Sequence, residues 1–188
     1  MMVTVEETAR ALQSVAKIAI FDRAGANGFG RDNRACARSF WAYVMALPAS
    51  LLLLGIEVLG SHNDQPVLLA VSRLIGDLIQ IAGFPLLLLP LLHWLGRSDR
   101  WAWFVTGYNW YSMAQTIAFV TLLCLTWGLP GADLFALIRG AAGIYFIVLE
   151  AFLADAILGI GAGRAIWLVI IDLAFGYGVD SLADWIAQ

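Results

Sequence analysis

Five long apolar blocks run along the chain, separated by short breaks of glycine, proline and charged residues. A helix rises 1.5 Å per residue, so about 20 apolar residues cross the roughly 30 Å of a bilayer's hydrocarbon. The blocks predict membrane spans at about 40–59, 67–95, 101–129, 133–160 and 165–186. Pro48 sits near the middle of the first, where a missing N–H and a ring clash should kink the helix. Gly76, Gly83, Pro85 and Pro90 predict a tilted or broken second helix. Gly128, Pro130 and Gly131 stop the third, and GIGAG, ending at Gly163, separates the fourth from the fifth.

Ahead of the spans the pattern changes. Val5, Ala9, Leu12, Ala16, Ala19 and Ile20 fall near helical spacing, with Glu6, Arg10, Gln13, Ser14 and Lys17 mostly opposite, predicting an amphipathic helix from Val5 to Phe21. Thr4 and Glu7 have the spacing of a capping box, in which each side chain satisfies an unpaired backbone N–H. Such a helix either lies in the headgroup plane or docks on the cytosolic ends of its neighbours. The charges at Glu6, Glu7, Arg10 and Lys17 do not fit the apolar core of a secretory signal. The glycine-rich run that follows lacks the G-K-[ST] ending of a phosphate-binding loop. Arg31, Arg34 and Arg38 then form a basic collar, the pattern that attracts anionic lipid headgroups at roughly 1 kcal/mol per charge.

Composition places all of this in lipid. The chain is 61% hydrophobic and 13% charged, with a mean hydropathy of +0.81, against about 25% charged in a soluble domain. A net charge of -3 argues against a phosphate-binding surface and so against nucleic acid. Nine of the 11 basic residues fall on one side of the predicted spans: Arg10, Lys17, Arg23, Arg31, Arg34, Arg38, Arg97, Arg100 and Arg164. The excess of basic residues in retained loops predicts a cytosolic N-terminus and a C-terminus on the opposite side, the location expected being a bacterial inner membrane. Trp94, Trp101 and Trp103 on the inner side, and Trp127 and Trp185 on the outer, have the spacing of interfacial belts.

Embedded charges carry the functional question, since each costs roughly 2.5 to 3.5 kcal/mol at a helix centre on insertion scales. They are Arg73, Asp77, Arg139, Glu150 and Asp172. Arg73 and Asp77 are four apart and share a helix face. With the helical rise, Arg73, Asp77 and Arg139 lie about 9, 15 and 10 Å from the outer ends of their helices. They are expected to form one cluster, with Glu57 as a fourth member. Glu150 and Asp155 are placed within reach of Arg164 or Arg97. Glu150 and Asp172 either pair and lock helices together or form a proton relay, and the spacing leaves both open. Asn109, Ser112 and Thr116, with Gln115 beside them, make a polar stripe that must turn inward, where such contacts contribute about 0.6 kcal/mol each. Ala136, Gly140 and Gly143 offer a flat strip for close helix contact.

Catalytic chemistry is not legible. His62 and His93 lie far apart, Cys36 and Cys124 have no CxxC partner, and no G-x-S-x-G or H-E-x-x-H pattern occurs. Cys124 is expected to fill apolar space within the third span. No metal, cofactor or enzyme activity is expected, although an intramembrane enzyme using scattered aspartates stays open as a reading.

From Leu87 onward the order of features resembles the Yip family of multi-spanning, Rab/Ypt-interacting-type membrane proteins, in its bacterial-like form. The carrying residues are PLLHWLG at Pro90–Gly96, WFVTGYNWYSM at Trp103–Met113 and LEAFLADAILGIGAGRAIWLVII at Leu149–Ile171, about half the chain. The resemblance implies a five-helix, N-cytosolic protein without enzyme activity that acts through protein or lipid contacts. The sequence as a whole predicts an all-α polytopic membrane protein, a cytosolic segment at 1–39 followed by five transmembrane helices at 40–188. The role expected is that of a scaffold or accessory subunit contacting lipids, other membrane proteins or itself. The rival is a small oligomeric transporter or channel component using the embedded charges.

Overall fold

The computed structural model describes residues 3–61, 64–126 and 132–187, with side chains described from Leu134 in the last stretch. The expectations for His62, Trp127, Gly128, Pro130 and Gly131 lie outside the described residues. Every regular element described is helical. In chain order these are α1 (Val5–Ala19), a 3-10 turn (Arg23–Gly28), α2 (Asn33–Ser39), α3 (Trp41–Gly60), α4 (Pro66–Trp94), a second 3-10 turn (Ser98–Arg100), α5 (Trp101–Thr126), α6 (Ala132–Leu158) and α7 (Ala162–Ile186).

Four stretches among the described residues are long and apolar enough to cross a membrane: Asn33–Gly60, which joins α2 to α3, then Pro66–Trp94, Leu134–Leu158 and Ala162–Ile186. The protein is therefore a membrane-embedded helical bundle. α5 has the length, at 26 residues, but not the composition. Tyr108, Asn109, Tyr111, Ser112, Gln115 and Thr116 dilute its hydropathy, and the reason lies in its place in the fold. α3, α4, α7, α6 and α5 close a ring in that order, α4 also touches α5 across it, and α1 and α2 pack on α5 from outside. A helix screened from lipid by neighbours can carry polar groups at lower cost.

The core is concentrated at one end of the bundle, the capped end. Leu88 and Leu92 near the end of α4, Phe104, Val105 and Trp110 of α5, Leu153 and Ile157 of α6, and Ala165 and Leu168 of α7 are buried there. Ala11, Val15 and Ile18 of α1, with Ala26, Phe29 and Cys36, belong to the same cluster. The N-terminal segment is thus part of the core packing. α1 docks on α5 and on the first 3-10 turn, while Val5 and Leu12 stay exposed beside Glu6, Arg10 and Lys17. Only half of the predicted capping box forms. The Glu7 N–H donates to Thr4 Oγ1 at 3.2 Å, but the Glu7 carboxylate accepts from Arg38 Nε at 2.8 Å and so ties α1 to α2.

Two expectations about breaks need correction. α4 is unbroken through Gly76, Gly83, Pro85 and Pro90. Its glycines serve contact instead: a Cβ at Gly83 would lie 2.5 Å from the Phe175 ring, and one at Gly76 would lie 3.3 Å from Val179 Cγ1, which lets α7 approach closely. α7 begins at Ala162, so the interhelical turn is only Gly159–Gly161, where Gly159 and Gly161 adopt φ of 63° and 83°, values that favour glycine. Cys124 is exposed on α5 and fills no core space, whereas Cys36 is buried.

Candidate functional site

Near the capped half, α5 presents its polar side chains to four other helices. Tyr43 of α3 donates its hydroxyl to Asn109 Oδ1 at 3.1 Å. Asn109, fully buried, donates Nδ2–H to Ser39 Oγ at 2.9 Å, and Ser39 donates to the Cys36 carbonyl at 2.7 Å. Ser112 also lies beside the Tyr43 side chain. On another side of α5, Tyr108 donates its hydroxyl to Asp172 Oδ2 at 2.8 Å, and the Asp172 carboxyl lies beside that of Glu150 of α6. Tyr111 donates to the Phe146 carbonyl at 2.6 Å. The result is a buried polar centre assembled from α2, α3, α5, α6 and α7.

The predicted stripe thus turns inward at Asn109 and Ser112. Thr116 donates to the Ser112 carbonyl of its own helix and, among the described residues, makes no side-chain hydrogen bond to another helix. Tyr43 and Tyr108 escaped sequence reasoning because their rings read as ordinary apolar bulk. Their signal was position: Tyr108 precedes Asn109, so a helix buried on both flanks had to present both inward.

A second cluster lies at the opposite, open end. Arg73 of α4, 16% exposed, holds Glu57 of α3 at 2.7 Å and Asp180 and Asp184 of α7 at 3.2 and 2.9 Å. It also donates to the Asp180 carbonyl, and Gln80 donates to Asp180 Oδ1 at 3.1 Å. The expected Arg73, Asp77, Arg139 cluster is not what assembles. Glu57 is a member, but Asp77 is exposed and makes no hydrogen bond or ion pair among the described residues. Arg139 is exposed on α6, which packs on α5, α7, α1 and the first 3-10 turn. α7 lies between α4 and α6, a neighbour relation that depth along each helix does not contain.

Basic residues at the capped end are largely consumed by the fold. Arg23 pairs with Asp155 and lies over the Phe152 ring. Asp155 also accepts the Gly161 N–H at 2.7 Å, so its partner is Arg23 and not Arg164 or Arg97. Arg97 and Arg100 donate to the carbonyls of Gly159 and Ile157, capping the end of α6, where unpaired carbonyls attract cations. Of the collar, Arg38 is held by Glu7 and Arg31 covers the Trp103 ring at 4.1 Å, whereas Arg34 is exposed. The Trp101 and Trp103 indoles donate to the Pro85 and Ala26 carbonyls at 2.8 and 3.0 Å, so they are structural donors. Trp94 and Trp185 remain exposed at the two ends.

Among the described residues no three His, Cys, Asp or Glu side chains converge as metal ligands. No family model matches the chain, and no curated protein or solved structure matches it. The Yip-like resemblance accordingly stands on its short motifs alone.

Proposed function

We propose that this is a non-enzymatic integral membrane protein that acts as a scaffold or accessory subunit through helix contacts within the bilayer. The observation that carries the reading is an unpartnered charged face on α6. Arg139 is exposed in a segment apolar enough to span and has no hydrogen bond or ion pair among the described residues. A Cβ added at neighbouring Gly140 or Gly143 would meet nothing within 4 Å. Small residues let helix backbones approach, and an embedded arginine is expensive unless something answers its charge. A second membrane helix bearing an acidic group satisfies both. The basic N-terminal segment is less suited as a contact region, since Arg23, Arg31 and Arg38 are already engaged within the fold.

Crosslinking tests this in native membranes. In a Cys124→Ser background, Gly143→Cys is expected to form a disulfide-linked or bifunctionally crosslinked product, reduced about tenfold by Arg139→Leu, which corresponds to roughly 1.4 kcal/mol of association. Absence of any product, or a product indifferent to Arg139→Leu, rejects the reading. Proton or ion flux in proteoliposomes that is lost in Glu150→Gln and Asp172→Asn would put the transporter reading in its place.

The same reading has five crossings with the N-terminus in the cytosol. Its support is connectivity. α4 and α6 both end at the capped end, where Arg97 and Arg100 reach the last carbonyls of α6, so the chain must travel the length of the bundle through α5 between them. A reporter joined after Ala187 is expected on the side away from the cytosol. A cytosolic reporter there sinks both the crossing number and the orientation.

A further inference from the structure

Glu150 and Asp172 are the strongest unexplained feature of the polar centre. Glu150 is 5% exposed, and its Oε1 has no hydrogen-bond partner although its side chain contacts Asp172. Asp172 accepts the Tyr108 hydroxyl proton. No Arg, Lys or His forms an ion pair with either carboxyl among the described residues. The groups that face the pair are Tyr43 from α3, and Tyr108 and Tyr111 from α5, with Tyr145 of α6 beside Tyr111. Arg23, at the same end of the bundle, is taken by Asp155, further along α6 than Glu150.

Two ionised carboxylates are acceptors only, and in low dielectric they repel. Their contact therefore needs a positive charge that none of these side chains supplies. We propose that Glu150 and Asp172 form a binding site for one proton, held between a Glu150 oxygen and an Asp172 oxygen. The proton comes from water, makes the Glu150 carboxyl a donor to Asp172, and leaves Tyr108 donating to Asp172 Oδ2 as it already does. One bound proton thereby joins α5, α6 and α7. Direct contact between the carboxyls favours a proton over an alkali-metal ion, which would have to lie between oxygens and gather several more.

This site does not depend on the scaffold reading, and its test reads protonation rather than association. Full-length protein in detergent micelles or lipid nanodiscs is examined by infrared spectroscopy and thermal unfolding over a pH series, in sodium and in choline buffers. Wild type is expected to show a carboxylic-acid C=O band that is lost in Glu150→Gln, where the amide donates to Asp172 without a shared proton. Unfolding midpoints of wild type are expected to fall in a step as alkali removes the proton, and those of Glu150→Gln to show no such step. Tyr108→Phe is expected to shift the band and move the step to a different pH while the protein stays folded. The proposal is overturned by a wild type without the band, by a band that persists in Glu150→Gln, or by a sodium-dependent rise in the midpoint that Glu150→Gln lacks. If Glu150→Gln does not fold, a band in Tyr108→Phe identical to that of wild type overturns it equally.

Discussion

Arg73→Met is expected to lower the unfolding free energy in detergent by about 2 kcal/mol and to loosen the open end of the bundle. One guanidinium there holds three carboxylates from two other helices. Removing it leaves Glu57, Asp180 and Asp184 facing one another with no cation between them. Orphaning a buried charge costs roughly 3 to 5 kcal/mol. The lower figure follows from exposure, since the three carboxylates are 46 to 49% exposed and water screens them. Arg73→Lys is expected to recover only part of the loss, because an ammonium is a point charge without the fork that spans α3 and α7. Arg139→Met is the control, with a change within about 0.5 kcal/mol expected for an exposed position. Equal losses at Arg73 and Arg139 in denaturant or thermal unfolding would show that the cluster is not what joins these helices.

Asp155→Ala is expected to release the N-terminal segment from the capped end. The carboxylate does two jobs at once. It pairs with Arg23, and it accepts the Gly161 N–H in the turn between α6 and α7. Alanine leaves that N–H without its acceptor and Arg23 without its partner. Lost hydrogen bonds to charged groups cost about 1.5 to 3 kcal/mol, and Arg23 is largely exposed, so about 2 kcal/mol is the expected total. Asp155→Asn retains an acceptor for Gly161 and should lose about half as much. Limited trypsin digestion is the sensitive readout, with Arg10, Lys17 and Arg23 cut several-fold faster in Asp155→Ala. Unchanged protection of these sites would mean that apolar packing of Ala11, Val15 and Ile18 alone holds the segment down.

Both variants concern contacts that the sequence half revealed. Arg73 stood out because an embedded arginine needs a partner, and Glu57 could be placed near it, closer to the surface. Its other partners, Asp180 and Asp184, fall near the end of the last predicted span, and nothing in the local pattern shows that α7 packs along α4. The pairing of Glu150 with Asp172 was open for the same reason. The two lie 22 positions apart on consecutive helices, on either side of a glycine turn, and only the rotation of each helix about its axis makes them meet. Arg23 and Asp155 are 132 positions apart, and neither sits in a pattern that points to the other.

By itself, then, the sequence determined the helical class, the apolar lengths, most helix boundaries to within a few residues and the presence of charges that require partners. These follow from properties that are local or additive along the chain: 3.6-residue periodicity, hydropathy per residue and glycine or proline at breaks. Tertiary structure alone decided that α5 is the ring member screened by α1 and α2, that the N-terminal segment belongs to the core and which charge meets which. The physical reason is that lipid supplies no hydrophobic drive between apolar helices. Their rotations and neighbours are set by steric fit at a few glycines, such as Gly83 against Phe175, and by a few polar contacts distant in sequence.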